Sequence, residues 1–393
     1  MNHQLRLALA IGMISYFGAC APVKFETLPK DGKGVVTRCE NQVCTDTFTE
    51  ERMVGEGLVD ILIVNDNSGS MSFEQAKMAN AFTGFIDSLG ALNWRLAMTT
   101  TDISSPAGTR PDSYLYNPPT AYNGYGALQD GKLIDFGGGQ KYLAGSPAST
   151  STERANNNSK FNATIKRQET INCESSGFTQ CPSGDERGIF AANLTLQNHA
   201  GQFVRPTAHF AVVILSDEDE RGISSYNPST DSNDMQVKQM YPMESMDHPQ
   251  TLVDRFRSLY PEKTMSVHSI IVRPGDSSCF NSQVGQVAGN PWIRGSYGFA
   301  YQHLSQLTGG VVGNICASNY TTQLQQIGVT IQNQVTSIPF RCRPINDDYD
   351  VIFTPQPASA VNVTADFSRM VLKIDSALPP MTKVKLTYTC VSE

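Results

Sequence analysis

Two short runs of almost unbroken apolar residues, far apart in the chain, constrain its fold more than any other feature. They are Leu58-Val59-Asp60-Ile61-Leu62-Ile63-Val64 and His209-Phe210-Ala211-Val212-Val213-Ile214-Leu215. A strand with one wet face alternates apolar and polar residues. A run that is apolar at nearly every position is covered on both faces, as in a parallel sheet sandwiched between helices. Met265–Val272 and Trp94–Thr100 read as further strands, and Val311–Ile315 as a short one. Between them lie helical patterns. From about Ser72, residues Ala79, Phe82, Phe85, Ile86 and Leu89 recur at three- and four-residue spacing. Ile189–Leu194, Thr251–Leu259, Phe299–Leu307 and Thr321–Val335 are helical in the same way. Strands alternating with helices give right-handed crossovers and a doubly wound, mostly parallel α/β sheet.

The remaining chain divides around this body. Residues 21–57 are polar and turn-rich and read as an N-terminal linker or β arm. Residues 103–183 interrupt the pattern with Gly, Ser, Asn, Pro and Tyr. An insert of that length in a compact domain points to function or to local stapling. It is expected to hold a hairpin around Leu133–Leu143 and a helix around Asn157–Gln168, with Tyr114, Tyr116, Tyr122 and Tyr125 as loop-pinning aromatics or a surface patch. Residues 337–393 change to a period of two over Asp350–Phe353, Met370–Ile374 and Lys383–Tyr388, which reads as a small antiparallel β module.

The N-terminus speaks to compartment. Leu7–Ala19 is a thirteen-residue apolar run, too short for a permanent membrane span and suited to a cleaved signal. It ends in Phe17-Gly18-Ala19-Cys20, which resembles the lipobox of bacterial lipoproteins; the implied processing leaves a lipidated Cys20 as the new N-terminus after a signal at 1–20. Eight cysteines then remain, an even number that suits disulfides in an oxidising compartment. Sequence neighbours suggest Cys39–Cys44, Cys173–Cys181, Cys279–Cys316 and Cys342–Cys390. No CxxC pair or His cluster suggests zinc. With a net charge of −7 and no basic stripe, nucleic acid is excluded as the main partner.

Ligands of open parallel sheets bind beyond the carboxyl ends of the strands. Both long apolar runs end in carboxylates there, Asp66 and Asp217. Asp66-x-Ser68-x-Ser70 sits on a tight turn that opens a helix, placing one carboxylate and two hydroxyls on one side. These are hard oxygen donors suited to Mg²⁺, Mn²⁺ or Ca²⁺ rather than zinc. Simpler readings are a turn with Ser68 or Ser70 as a helix cap, and a solvated acidic loop over Asp217–Glu220, above all for Asp219 and Glu220.

The segment Asp60–Met71, with its DxSxS turn and the distal Ile214-Leu215-Ser216-Asp217, resembles the von Willebrand factor A (VWA) domain and its metal-ion-dependent adhesion site. The resemblance covers residues 58–336 and extends to VWA-containing bacterial lipoproteins. It implies metal ligands at Asp66, Ser68, Ser70 and Asp217. The family's middle ligand, usually a Thr, has no counterpart in Ser183-Gly184-Asp185-Glu186-Arg187-Gly188; Asp185 or Glu186 takes that place, with Glu186 preferred. Three carboxylates would nearly neutralise or overbalance a divalent ion, weaken its pull on an acidic ligand and favour Ca²⁺. The implied function is a lipid-anchored envelope protein, in the outer membrane, that binds a protein or glycan partner through a carboxylate on the metal. A structural or assembly protein whose metal is only a folding staple is the alternative, and a metal-assisted hydrolase a further one. No nucleophile–base pair is apparent, so an enzyme is not expected.

Overall fold

The computed structural model describes residues 35–40, 43–54, 57–90, 92–103, 128–176, 186–221, 243–261, 263–285, 295–367, 370–374, 378 and 382–391. Cys20, Cys181, Asp185 and the four tyrosines between 114 and 125 lie outside the described residues. The chain opens with strands β1 (Val35–Glu40) and β2 (Val43–Val54). Then follow β3 (Leu58–Asn65), α1 (Ser72–Ser88), β4 (Asn93–Thr100) and, after the first part of the insert, β5 (Leu143–Gly145), α2 (Ser151–Ile165) and α3 (Gln168–Ser175). Next come α4 (Gly188–Asn198), β6 (His209–Leu215), α5 (Pro249–Leu259), β7 (Met265–Ile271), α6 (Ser277–Gly285), α7 (Phe299–Leu307), β8 (Val312–Asn314) and α8 (Thr321–Thr336). The chain ends in β9 (Ser337–Pro339), β10 (Tyr349–Thr354), β11 (Val363–Asp366), β12 (Val371–Ile374) and β13 (Thr382–Val391).

The central sheet has six strands in the order β5-β4-β3-β6-β7-β8. All neighbours are parallel except the short edge strand β5. The two apolar runs, β3 and β6, lie side by side at its centre. Alternation along β3 feeds both faces, as a strand requires. Ile61 and Ile63 join Phe82, Phe85, Leu324 and Ile331 on one side, while Leu62 and Val64 join Ile189, Leu252, Phe256 and Leu304 on the other. This is the doubly wound α/β architecture expected from the sequence.

Over its described residues 128–176, the insert holds more regular structure than its composition suggests. The hairpin expected at 133–143 does not form. Gly137, Gly138 and Gly139 all have positive φ, and Asp135 Oδ1 accepts the N–H groups of Gly137 and Gly139, so this stretch is a tight turn rather than a ladder. Among the insert's described residues, only Leu143–Gly145 enters the sheet. The expected helix begins earlier, at Ser151, because Thr150 and Glu153 form a reciprocal capping box. Phe161 of α2 stacks on Phe82 of α1 at 3.7 Å between ring centroids.

The antiparallel module recruits the N-terminal segment as well as the C-terminal one. β2 pairs with β13 from Thr45↔Val391 to Val54↔Thr382, giving a four-stranded sheet β1-β2-β13-β10. A three-stranded sheet β11-β12-β9 completes the module. Ile338, Phe340, Leu372, Leu386 and Tyr388 form their common core. Cys342–Cys390 is a disulfide here, and Cys279–Cys316 is one in the central domain. Cys39 lies opposite Cys44 in the β1–β2 register. Cys173 is buried and disulfide-bonded. Among the described residues no helix is long and apolar enough to cross a membrane.

Candidate metal centre

The register of β3 on β6 sets Asn65 beside Leu215. The residues that follow, Asp66 and Ser216, therefore leave the sheet together. The Asp66 N–H donates to Leu215 O at 3.0 Å, and the Ser216 hydroxyl donates to Asp66 Oδ2 at 2.6 Å. Asp66 Oδ1 accepts the Ser68 N–H at 2.8 Å, which folds the turn back on its own carboxylate. The Ser68 and Ser70 hydroxyls lie 3.0 Å apart, and Ser70 donates to Asp217 Oδ1 at 3.1 Å. Asp66, Ser68, Ser70 and Asp217 are thus brought together at the carboxyl edge of the sheet.

Neither serine is used as a helix cap. The turn continues through a single 3₁₀ turn, Gly69–Met71, into α1, and no side-chain capping bond is made at either start. The acidic loop is not solvated either. Asp217 and Glu220 are at most 1% exposed and Asp219 7%. Asp219 accepts the Ala300 N–H, and Glu220 accepts those of Ile189 and Phe190, capping α4 from across the fold. Their carboxyl oxygens meet helix N-termini, which sequence spacing does not reveal.

Glu186 is fully buried beside this group. It forms a β-bridge with Asp102, the Thr101 hydroxyl donates to its Oε2, and its Oε1 accepts no hydrogen bond. Its neighbour Arg187, 1% exposed, is fixed by two 2.8 Å bonds to Asp247, itself fully buried. That pair pins the backbone that carries Glu186.

The insert supplies a second brace. Thr170 of α3 donates to Asn67 O at 2.8 Å, and Gln75 of α1 donates to Asp66 O at 2.9 Å and to Thr170 Oγ1. The Arg167 N–H closes the loop on Gln75 Oε1. Gln75 and Thr170 were not evident as site residues in the sequence; the only signal is their polarity at helix positions that prove to be buried.

The electrostatics are unfavourable for carboxylates left to themselves. Burial raises the pKa of Asp66 and pushes those of Asp217 and Glu186 well above the ordinary carboxylate range. The charge of Asp66 adds to the rise in both of the latter, with Glu74 acting further on Asp217 and Glu218 on Glu186. Asp102 is pushed to about 6 by burial. Among the described residues no three Asp, Glu, His or Cys side chains are grouped as ligands around one point. The donor set is therefore mixed: the oxygens of Ser68 and Ser70 with the carboxylates of Asp66 and Asp217. Glu186 stands against Asp66 with one oxygen unpaired. Uncharged hydroxyls with a few carboxylates suit a hard divalent ion, and an unpaired buried carboxylate oxygen beside mutually repelling carboxylates fits the same chemistry.

No protein-family model matches the chain, and no curated protein matches it. Among solved structures it is similar to a von Willebrand factor type A protein from Catenulispora acidiphila, with a TM-score of 0.33 and 11% identity over 89% of this chain and 61% of that one. It is also similar to the adhesive tip pilin GBS104 from Group B Streptococcus agalactiae, with a TM-score of 0.34 and 12% identity over 91% and 85%. The pilus adhesin SpaC from Lactobacillus rhamnosus GG gives a TM-score of 0.30 and 12% identity over 90% and 42%. The chain thus spans 42% of that adhesin and 61% of the Catenulispora protein. Overlaps of this size leave the architecture to be judged from strand order and register: a six-stranded, mostly parallel sheet flanked by helices, with an antiparallel module beside it.

Proposed function

We propose that this chain is a lipid-anchored binding protein of the bacterial envelope. In it a divalent cation, Mg²⁺ or Ca²⁺, is held at the carboxyl edge of the central sheet, and a protein or glycan partner is bound through a carboxylate. The observation that carries this is the convergence of Asp66, Ser68, Ser70 and Asp217 at the ends of two neighbouring strands. When bound, the ion supplies a positive centre for an oxygen donor from outside. Asp66 and Asp217 provide the charge that retains it, and the hydroxyls of Ser68 and Ser70 add oxygens without adding charge. Ser68 and Ser70 are only partly buried, whereas both carboxylates are buried, so the hydroxyl side is the approach for a partner. Ser216, Gln75 and Thr170 hold the turn in place through Asp66 and Asn67.

Support for the compartment comes from disulfides such as Cys279–Cys316 and Cys342–Cys390, which persist in oxidising surroundings, and from the lipobox-like Phe17–Cys20. Catalysis is no part of the proposal. The folding-staple alternative is favoured by one observation, the complete burial of Asp66 and Glu186.

Capture from envelope extracts separates the two. Purified protein is loaded with Mg²⁺ or Ca²⁺, or stripped with chelator. Metal-dependent retention of a partner that is lost in Asp66→Ala supports the adhesion site. Equal retention with and without metal contradicts it. Cys20→Ser is expected to release the protein from membranes and abolish palmitate labelling; unchanged fractionation contradicts the anchor. Glu186→Thr removes one negative charge, so weaker Ca²⁺ affinity with stronger partner binding is expected; a silent variant removes Glu186 from the ligand set.

A further inference from the structure

The opposite end of the central sheet carries a pocket of about 190 Å³ between the C-terminal ends of α5 and α7 and the start of β7. Its apolar wall is Val253, Phe256, Met265 and Leu307, and its charged wall is Arg257 and Lys263. Among the described residues, none that lines the pocket is acidic. We propose that this pocket binds a small organic carboxylate with a compact apolar body, its charge against Arg257 and Lys263 and its body against Phe256 and Leu307.

Lys263 is held in place rather than free to swing. Its Nζ donates to Arg205 O at 2.7 Å and lies 4.3 Å from the centre of the Tyr260 ring. An ammonium has three donors, so that bond leaves two for a ligand. The nearby carboxylate, Asp60, is engaged by Arg205, whose Nε and backbone N–H donate to its two oxygens. Burial lowers the Lys263 pKa to about 8, which marks an ammonium short of solvation. An incoming carboxylate would supply the anionic partner that burial has made more valuable. Arg257 is exposed and makes no ion pair among the described residues. Leu307 is 41% exposed and would be covered by the ligand body. At about 30 Å³ per water, the pocket holds about six waters, enough for a ligand of roughly eight to ten non-hydrogen atoms.

The site is separate from the candidate metal centre, so its test is independent of that proposal. The full chain, freed of metal by dialysis, is titrated with benzoate and hexanoate by calorimetry. Benzamide, hexanamide, inorganic phosphate and dodecanoate are the controls. Saturable binding of both short carboxylates is expected, with the amides at least tenfold weaker. Lys263→Met is expected to weaken benzoate at least tenfold and Arg257→Met at least fivefold; Asp66→Asn should leave it unchanged. Arg257→Met, at an exposed position, keeps the test decisive if Lys263→Met does not fold. Benzamide binding as tightly as benzoate, phosphate binding as tightly as benzoate, or Arg257→Met equal to wild type would overturn the proposal. Dodecanoate binding tenfold tighter than hexanoate would point to a lipid chain as the ligand and overturn it also.

Discussion

Strand β3 carries a buried carboxylate near each end, and the fold treats the two in opposite ways. Asp60 and Asp66 are both fully buried, and burial raises the pKa of both. Asp60 has its counter-charge built in. Arg205 donates Nε to Oδ1 at 2.7 Å and its backbone N–H to Oδ2 at 2.5 Å, and continues to Val59 O and Asn93 O. Asp66 accepts the Ser68 N–H and the Ser216 hydroxyl, with the Ser68 hydroxyl and Glu186 also against it; none of these is a cation, and the charge of Asp66 acts on Glu186 and Asp217. One end of the strand is completed within the chain. The other fits a cation from solution. The difference separates a carboxylate neutralised within the chain from one that the proposed cation would neutralise.

The largest expected effect breaks the completed end. Arg205→Ala leaves Asp60 as a buried charge without its partner, at a cost of about 3–5 kcal/mol. Asp66→Asn in metal-free protein is expected to cost less than about 1 kcal/mol, because it relieves repulsion while it weakens hydrogen bonds. Urea unfolding of both variants checks this; a larger loss in Asp66→Asn than in Arg205→Ala would erase the contrast.

A third treatment of burial sharpens the comparison. His268 in β7 is fully buried and bonded to the Ser266 hydroxyl and the Val311 N–H. Burial lowers its pKa from 6.5 to about 3, so it sheds its charge instead of pairing it. Between those values the unfolded chain takes up a proton that the folded chain refuses. Stability from this group is therefore full above pH 6.5 and is lost as pH falls toward 3. Wild type is expected to lose more stability than His268→Gln between pH 7 and pH 5; parallel urea midpoints would contradict the assignment.

Saturating the open end should then stabilise the molecule by mass action. A cation present at a hundred times its Kd adds about 2.7 kcal/mol. The gain is expected in the thermal midpoint of wild type and not in that of Asp66→Ala. The smallest effect probes one hydroxyl. Ser70→Ala is expected to weaken metal affinity about tenfold, equivalent to about 1.4 kcal/mol. Its cost in folding is expected to be about 1 kcal/mol, from the donor that buried Asp217 Oδ1 loses, since Ser70 caps no helix.

What the sequence made legible follows from how local each signal is. The Asp66 turn and Asp217 stand out because each carboxylate directly follows an apolar run of strand length, and the sheet register makes them neighbours. Asp60 looked like an interruption in such a run. Its meaning depends on Arg205, far along the chain, and no periodicity links the two. Residues 21–57 read as a linker or β arm and no more for the same reason: β13, the strand that pairs with β2, lies at the other end of the chain. The insert looked loose because Gly, Ser and Asn dominate it. Yet the Thr150–Glu153 box starts α2, and α3 uses Thr170 to grip the turn that follows Asp66. Asp219 and Glu220 looked solvated because their partners, the backbone N–H groups of α4 and α7, are visible only in three dimensions.

The central claim is that Asp66, Ser68, Ser70 and Asp217 form one divalent-cation site. Calorimetric titration of Mg²⁺ and Ca²⁺ into wild type and Asp66→Ala, with folding of both checked by circular dichroism, tests it most directly. One saturable site in wild type and none in a folded Asp66→Ala is the predicted result. Equal metal affinity in the two proteins would contradict it.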